Sequence, residues 1–121
     1  MVSTVLDDAA DLDLDRDLFE EANLYPRNTG LPMTVWASVR GRARHDVRLK
    51  VCMTPGNRFD ADNVAVVAVR PEPRLLHGDL STDDFRRVAD WIAMNEAALI
   101  AFWDGEIDGL EFASALRKLG G

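Results

Sequence analysis

One cysteine, Cys52, stands in 121 residues. It has no partner for an internal disulfide and no second thiol for a C-x-x-C redox or metal motif. Lysine is nearly as scarce: Lys50 and Lys118 are the only two, so arginine carries most of the positive charge. No stretch approaches the roughly 18 consecutive apolar residues that a membrane-spanning helix needs. The opening MVSTVL, followed by aspartates, lacks the basic region of a secretory signal peptide. The expectation is a cytoplasmic protein in a reducing compartment, with no membrane contact. There is also no P-loop, no G-x-G-x-x-G and no G-x-S-x-G, which leaves no ready-made phosphate cradle or nucleophile elbow.

What the chain does have is sorted charge. Met1 to Tyr25 carries eight acids (Asp7, Asp8, Asp11, Asp13, Asp15, Asp17, Glu20 and Glu21) against Arg16 alone. Pro26 to Arg74 carries nine Arg and Lys against four acids, and Leu75 to Gly121 carries nine acids against four bases. The formal net charge is −7. A basic middle between acidic ends suits an acidic partner for the central surface, or a cover supplied by the chain itself. Hydrophobic content of 47% fits one domain with one core. The spacing divides the chain into an acidic, largely flexible segment over 1–25 and a single domain over 26–121.

Periodicity then gives the elements. The acidic segment has a thin apolar stripe, and stacked aspartates are poor helix formers, so only a short helix over Asp17 to Asn23 is expected. Met33 to Val39 alternates, with Met33, Val35, Ala37 and Val39 on one face and Thr34, Trp36 and Ser38 on the other. Asp46 to Met53 repeats the pattern, with Arg48, Lys50 and Cys52 on the second face, so the two runs predict a hairpin turning at RGRAR. Asn63 to Val69 is apolar on both faces, as in a central or doubly covered strand. Pro71 and Pro73 interrupt the ladder, and Arg74 to His77 could form a short edge strand. Ser81 opens a helix with Asp84 in the capping-box position. Phe85, Val88, Ile92, Leu99 and Trp103 make one stripe of that helix, and Trp91, Met94, Ala98 and Phe102 a second. Asn95 is a candidate point of division. Asp104-Gly105 stops the helix, and Ile107 to Leu119 predicts another, with Leu110, Phe112, Leu116 and Leu119 inward.

The fold class is therefore α+β. A three- to four-stranded, mostly antiparallel sheet is followed by two C-terminal helices packed on one face. The expected core is Val35, Val47, Leu49, Val51, Val66, Phe85, Val88, Ile92, Leu99, Trp103, Leu110 and Leu116.

Chemistry-bearing clusters are few. A calcium loop read from Asp11 puts Arg16 where the turn glycine belongs and Ala22 where the bidentate Glu belongs. A second window, Asp104, Glu106, Asp108 and Gly109, ends on Ala115. Solvated or helix-capping acids explain both windows. His45, His77 and Cys52 lack ligand spacing, and His77, Asp79 and Ser81 are loop neighbours rather than a triad. No catalytic, cofactor-binding or metal-binding residue is assigned. An enzyme of unknown type built on His45, His77 or Asp79 is the competing class.

The basic hairpin is the better surface. Alternation puts Trp36, Arg48 and Lys50 on its second face, with Arg40, Arg42 and Arg44 at its turn. An aromatic ring among guanidinium groups can stack a base and meet phosphates, while the plainer reading lays Trp36 under aliphatic stems. Overall acidity opposes the approach of nucleic acid. The leading expectation is a non-enzymatic protein-interaction module, acting on a protein partner or as a homo-oligomer. Its apolar motive is the two-sided Val64 to Val69 run and the second helical stripe. A nucleic-acid-associated role for the basic hairpin is the alternative.

The segments GLPMTVW (Gly30 to Trp36), RGRARHDVRLKV (Arg40 to Val51), VAVRPEPRLLHGDLS (Val67 to Ser81) and WIAMNEAALIAFWDGEID (Trp91 to Asp108) resemble a group of small uncharacterised bacterial proteins common in alphaproteobacteria. Trp91, Ile92, Asn95, Leu99 and Trp103 form a W-I-x-x-N-x-x-x-L-x-x-x-W pattern similar to that of a broader domain-of-unknown-function family of short β-then-α proteins. The resemblance implies the same architecture and brings no activity or site.

Overall fold

The computed structural model describes residues 21–53 and 63–120. Its elements run β1 (Glu21–Leu24), α1 (Pro26–Thr29), β2 (Val35–Ser38), β3 (Arg48–Cys52), β4 (Val64–Ala68), β5 (Arg74–His77), α2 (Thr82–Trp103) and α3 (Gly109–Ala115). The strands form one sheet in the order β1-β2-β3-β4-β5, each antiparallel to the next. Neighbours in sequence are neighbours in space, the arrangement that consecutive strands most often adopt. The architecture is α+β, as the periodicity requires, with five strands rather than three or four.

The additional strand is β1. Glu21 to Asn23 are extended, not helical, because pairing aligns Ala22 with Ala37 and Leu24 with Val35. That alignment buries Leu24 in the core, which a lone turn of helix at this point would not do. The sheet thus includes Glu21–Leu24, inside the acidic segment. The rest of the expected helix, the leader up to Asp15 and the calcium window from Asp11 lie outside the described residues.

One face of the sheet carries Val35 and Ala37, Leu49 and Val51, Ala65 and Val67. Helix α2 covers this core, contributing Val88, Trp91, Ile92, Leu99 and Trp103. At its start the Ser81 Oγ accepts from the Asp84 N–H at 3.0 Å, and Asp83 and Asp84 sit in the first turn, where carboxylates favour the helix dipole. Asn95 departs from helical geometry, at φ −118° and ψ 15°, so the division falls where the sequence suggested.

The second helical stripe also reaches the core, through Trp91 and Phe102. Trp91 is fully buried and Phe102 is 4% exposed, while Met94 is 39% exposed. Phe102 stacks on Phe112 of α3, ring centroids 4.4 Å apart and planes at 7°. Of the apolar surface that motivated a second copy, Trp91 and Phe102 are consumed within the chain, while Met94 stays exposed and Val64 and Val66 only half-buried.

Two expected core residues lie elsewhere. Leu110 is 82% exposed, because α3 is only seven residues long and Phe112 claims its inner face. Two helical positions from Phe112 is about 200° around the axis, so Leu110 must point outward. Val66 is half-buried on the far face of the sheet, opposite Lys50 and His77. Phe85 and Leu116 pack against the core without being fully buried.

α3 also ends earlier than expected. Leu116 is already extended at ψ 141°, and the chain after it returns to α1. The Leu119 N–H donates to the Thr29 carbonyl at 2.7 Å. Gly30, at φ 81°, lets the two backbones approach, since a Cβ there would collide with the Leu119 carbonyl.

Candidate functional site

The hairpin residues divide into two places. On the outer face of the sheet, register sets Asn23, Trp36, Lys50, Val66 and His77 in one row across the five strands. Arg48, two residues before Lys50 on the same strand, shares that face. Lys50 Nζ lies 3.7 Å from Glu21 Oε2, and that ion pair runs from β3 to β1 across the strand carrying Trp36. Trp36 is only 8% exposed. It offers no open ring face to a base, so of the two readings of this residue the structure favours packing.

The loop after β2 builds something different. The Arg40 N–H donates to the carbonyl of Trp103 at 2.8 Å, tying the loop to the end of α2. The Ala43 N–H closes a tight turn on the Arg40 carbonyl at 2.7 Å, with Gly41 supplying the positive φ. The chain then lays His45 over Trp103, ring centroids 5.4 Å apart and planes tilted by 32°. The His45 Nδ1 sits 2.8 Å from the Asp46 carbonyl, and because that oxygen can only accept, Nδ1 is the donor.

Arg70, just past β4, completes the arrangement. Its Nε donates to Asp46 Oδ1 at 3.1 Å and Oδ2 at 2.9 Å, and its Nη2 to Oδ1 at 2.8 Å. This bond, with the Val47 backbone N–H beside it, holds the Asp46 carboxyl below its ordinary value. The same carboxylate raises Arg70. Both groups are exposed, so the pair fixes geometry more than it stabilises the fold.

Arg40, Ala43, Arg44, His45, Asp46, Arg70 and Trp103 together line a cleft of about 500 Å³. The sequence singled out Arg40 and Arg44 for a surface and His45 for an enzyme; the structure brings the three together. Arg42 occupies the same exposed loop but does not line the cleft. Arg48 and Lys50 belong to the sheet face instead. His77 and Asp79 stand on and after β5, away from His45, so the candidate enzyme residues do not converge.

Sequence reasoning missed Arg70 and Trp103 as members of this site. The Asp46–Arg70 pair spans 24 positions, and Trp103 reads simply as helix core. Strand order, which sets the end of β4 beside the start of β3, brings in Arg70, and the packing of the end of α2 against the loop brings in Trp103. Comparison with protein-family models, curated proteins and solved structures yields no match for this chain.

Charge defines what the cleft can do. Among the described residues no carboxylate forms a salt bridge with Arg40 or Arg44, while Asp46 has both oxygens committed to Arg70. The cleft thus presents two guanidinium groups without salt-bridge partners among the described residues, beside an imidazole backed by indole. Nothing equivalent serves a cation: no group of three His, Cys, Asp or Glu among the described residues could hold a metal ion. The second calcium window is a helix cap. Asp108 accepts from the Glu111 N–H at 2.8 Å, and Glu111 Oε1 accepts from the Asp108 N–H at 2.9 Å. No helix among the described residues is long and apolar enough to cross a membrane.

Proposed function

We propose that this chain is a non-enzymatic protein-interaction module whose arginine cleft receives an acidic segment of a partner protein. The observation that carries the reading is the cleft's charge balance. Arg40 and Arg44 face the same space without salt-bridge partners among the described residues, and the one acid lining that space is neutralised by Arg70. A guanidinium presents five donors in a rigid fork suited to carboxylates, so two such groups make a directional anion receptor. The lining is charged rather than apolar, unlike the mostly apolar pockets of about 300–1,000 Å³ that take small organic ligands. The loop is also held on rigid elements, by Trp103 at the end of α2 and by Arg70 after β4.

The test is titration of the full chain with a short fluorescent peptide rich in Asp and Glu. Binding should weaken as salt is raised past the screening range, where the Debye length falls below about 10 Å. Arg40→Glu combined with Arg44→Glu should abolish it while leaving thermal unfolding unchanged, because both side chains are exposed. Equal binding by the double variant would remove the cleft from the reading.

A further inference from the structure

We infer that the occupant of the cleft is a phosphate monoester, presented by a phosphorylated side chain of the partner. This rests on the proposed interaction role and narrows it to one chemistry.

Charge matching is the first argument. Among the lining residues, Arg40 and Arg44 leave two positive charges after Asp46 has neutralised Arg70, with Asp104 and Glu96 outside the lining but near enough to act on Arg70. A phosphate monoester carries about −1.5 to −2 at neutral pH and three acceptor oxygens on one atom, which matches two guanidinium forks in charge and in number of acceptors. A single carboxylate has one charge and two oxygens, and satisfies one fork. The second argument is long-range repulsion. The whole chain carries −7, which opposes an extended polyacidic segment over its length but acts less on one compact dianion held at contact distance. The third is access. The cleft is open to solvent, so a phosphoryl group can reach it on the arm of an exposed side chain.

A nucleic-acid phosphodiester is the weaker fit. Each phosphate there carries one charge, and binding single strands relies on open aromatic platforms. Trp36 is packed at 8% exposure and Trp103 is 2% exposed beneath His45, so neither indole supplies one.

The experiment compares three versions of one short fluorescent peptide, with Ser, Glu or phosphoserine at a single central position, together with a short single-stranded DNA. Each is titrated into the full chain at the same ionic strength. The phosphoserine peptide should bind about tenfold or more tighter than the Glu peptide, the gain expected from one added charge-assisted fork. Arg40→Gln and Arg44→Gln should each bring the phosphoserine peptide down to the Glu level, with unchanged thermal unfolding as the control for folding. Equal affinity for the Glu and phosphoserine peptides overturns the phosphate assignment and leaves the acidic-partner reading standing. No binding by any peptide overturns both. Tighter binding of the DNA than of the phosphoserine peptide overturns the inference in favour of a nucleic-acid ligand.

Discussion

Asn95 and Arg117 hold each other through two hydrogen bonds across 22 positions of sequence. The Asn95 Nδ2 donates to the Arg117 carbonyl at 3.0 Å and the Arg117 N–H returns a bond to Oδ1 at 2.7 Å. The same Nδ2 also donates to the Trp91 carbonyl at 2.9 Å, inside α2. One buried carboxamide therefore kinks the long helix and fastens the C-terminal strap, whose far end Leu119 bonds to Thr29. The pattern of Trp91, Ile92, Asn95, Leu99 and Trp103 has a structural explanation, since all five are buried and the asparagine is the polar member with a defined partner.

Asn95→Ala should lower stability by about 2–3 kcal/mol, because it strips partners from backbone groups that are largely out of water. Asn95→Asp should be no better, as it keeps the acceptor, loses the donor and places a charge in a buried site. Urea denaturation measures both. An Asn95→Ala midpoint equal to the parent's would show that the strap stays docked without this latch.

Leu99 and Leu110 provide a matched pair of leucines in opposite surroundings. Leu99→Ala, like Ile92→Ala, should cost about 2–5 kcal/mol through lost burial and a residual cavity. Leu110→Ala should change stability by no more than about 0.5 kcal/mol, since its side chain is already in solvent. A large loss at Leu110 would mean that α3 presents a different face to the core.

The two leucines also show where the sequence was readable. Alternation at Val35, Ala37, Leu49 and Val51 specifies the core face of the sheet, because a slip of one residue would turn every one of them outward. The long stripes of α2 are equally explicit. A short helix such as α3 has too few positions for its period to choose between Leu110 and Phe112, and stacking on Phe102 made the choice. β1 was hidden for a related reason: four residues with one strong apolar side chain acquire their conformation from the partner strand. The arginines of the cleft stood out by composition, but their assembly with Arg70 depends on strand order and with Trp103 on where α2 ends against the loop.

Asp46 sets how much charge the cleft shows. Asp46→Asn should free the Arg70 guanidinium and tighten binding of an anionic peptide severalfold, with little change in stability because the pair is exposed. The pH dependence follows from the lowered Asp46 carboxyl. A carboxylate depressed by folding contributes stability above its unfolded value, about 3.9, and loses that contribution as pH falls through the lower folded value. Binding measured at mildly acidic pH should therefore leave the Asp46–Arg70 pair intact. Weaker anion binding by Asp46→Asn at neutral pH would show that the pair shapes the loop rather than restraining its charge.

The acidic N-terminal segment is the remaining electrostatic element, and β1 places its C-terminal end. Glu21 pairs in register with Ser38, two residues before Arg40, and reaches Lys50 at 3.7 Å. Residues 1–20, which precede it, contain seven acids and Arg16, so removing them takes the formal charge from −7 to −1. If these acids screen the basic surface, the chain lacking residues 1–20 should bind heparin or an acidic peptide more tightly than the full chain at low salt. Each exposed pair contributes at most about 1 kcal/mol, so the difference should fade near 1 M salt, where the Debye length is about 3 Å. The strand and its Glu21–Lys50 pair remain in the shortened chain, which separates loss of screening from loss of the sheet edge. Thermal unfolding of the two forms serves as the control for folding. Identical binding by both would make the segment a solvated leader with no hold on the arginine surface.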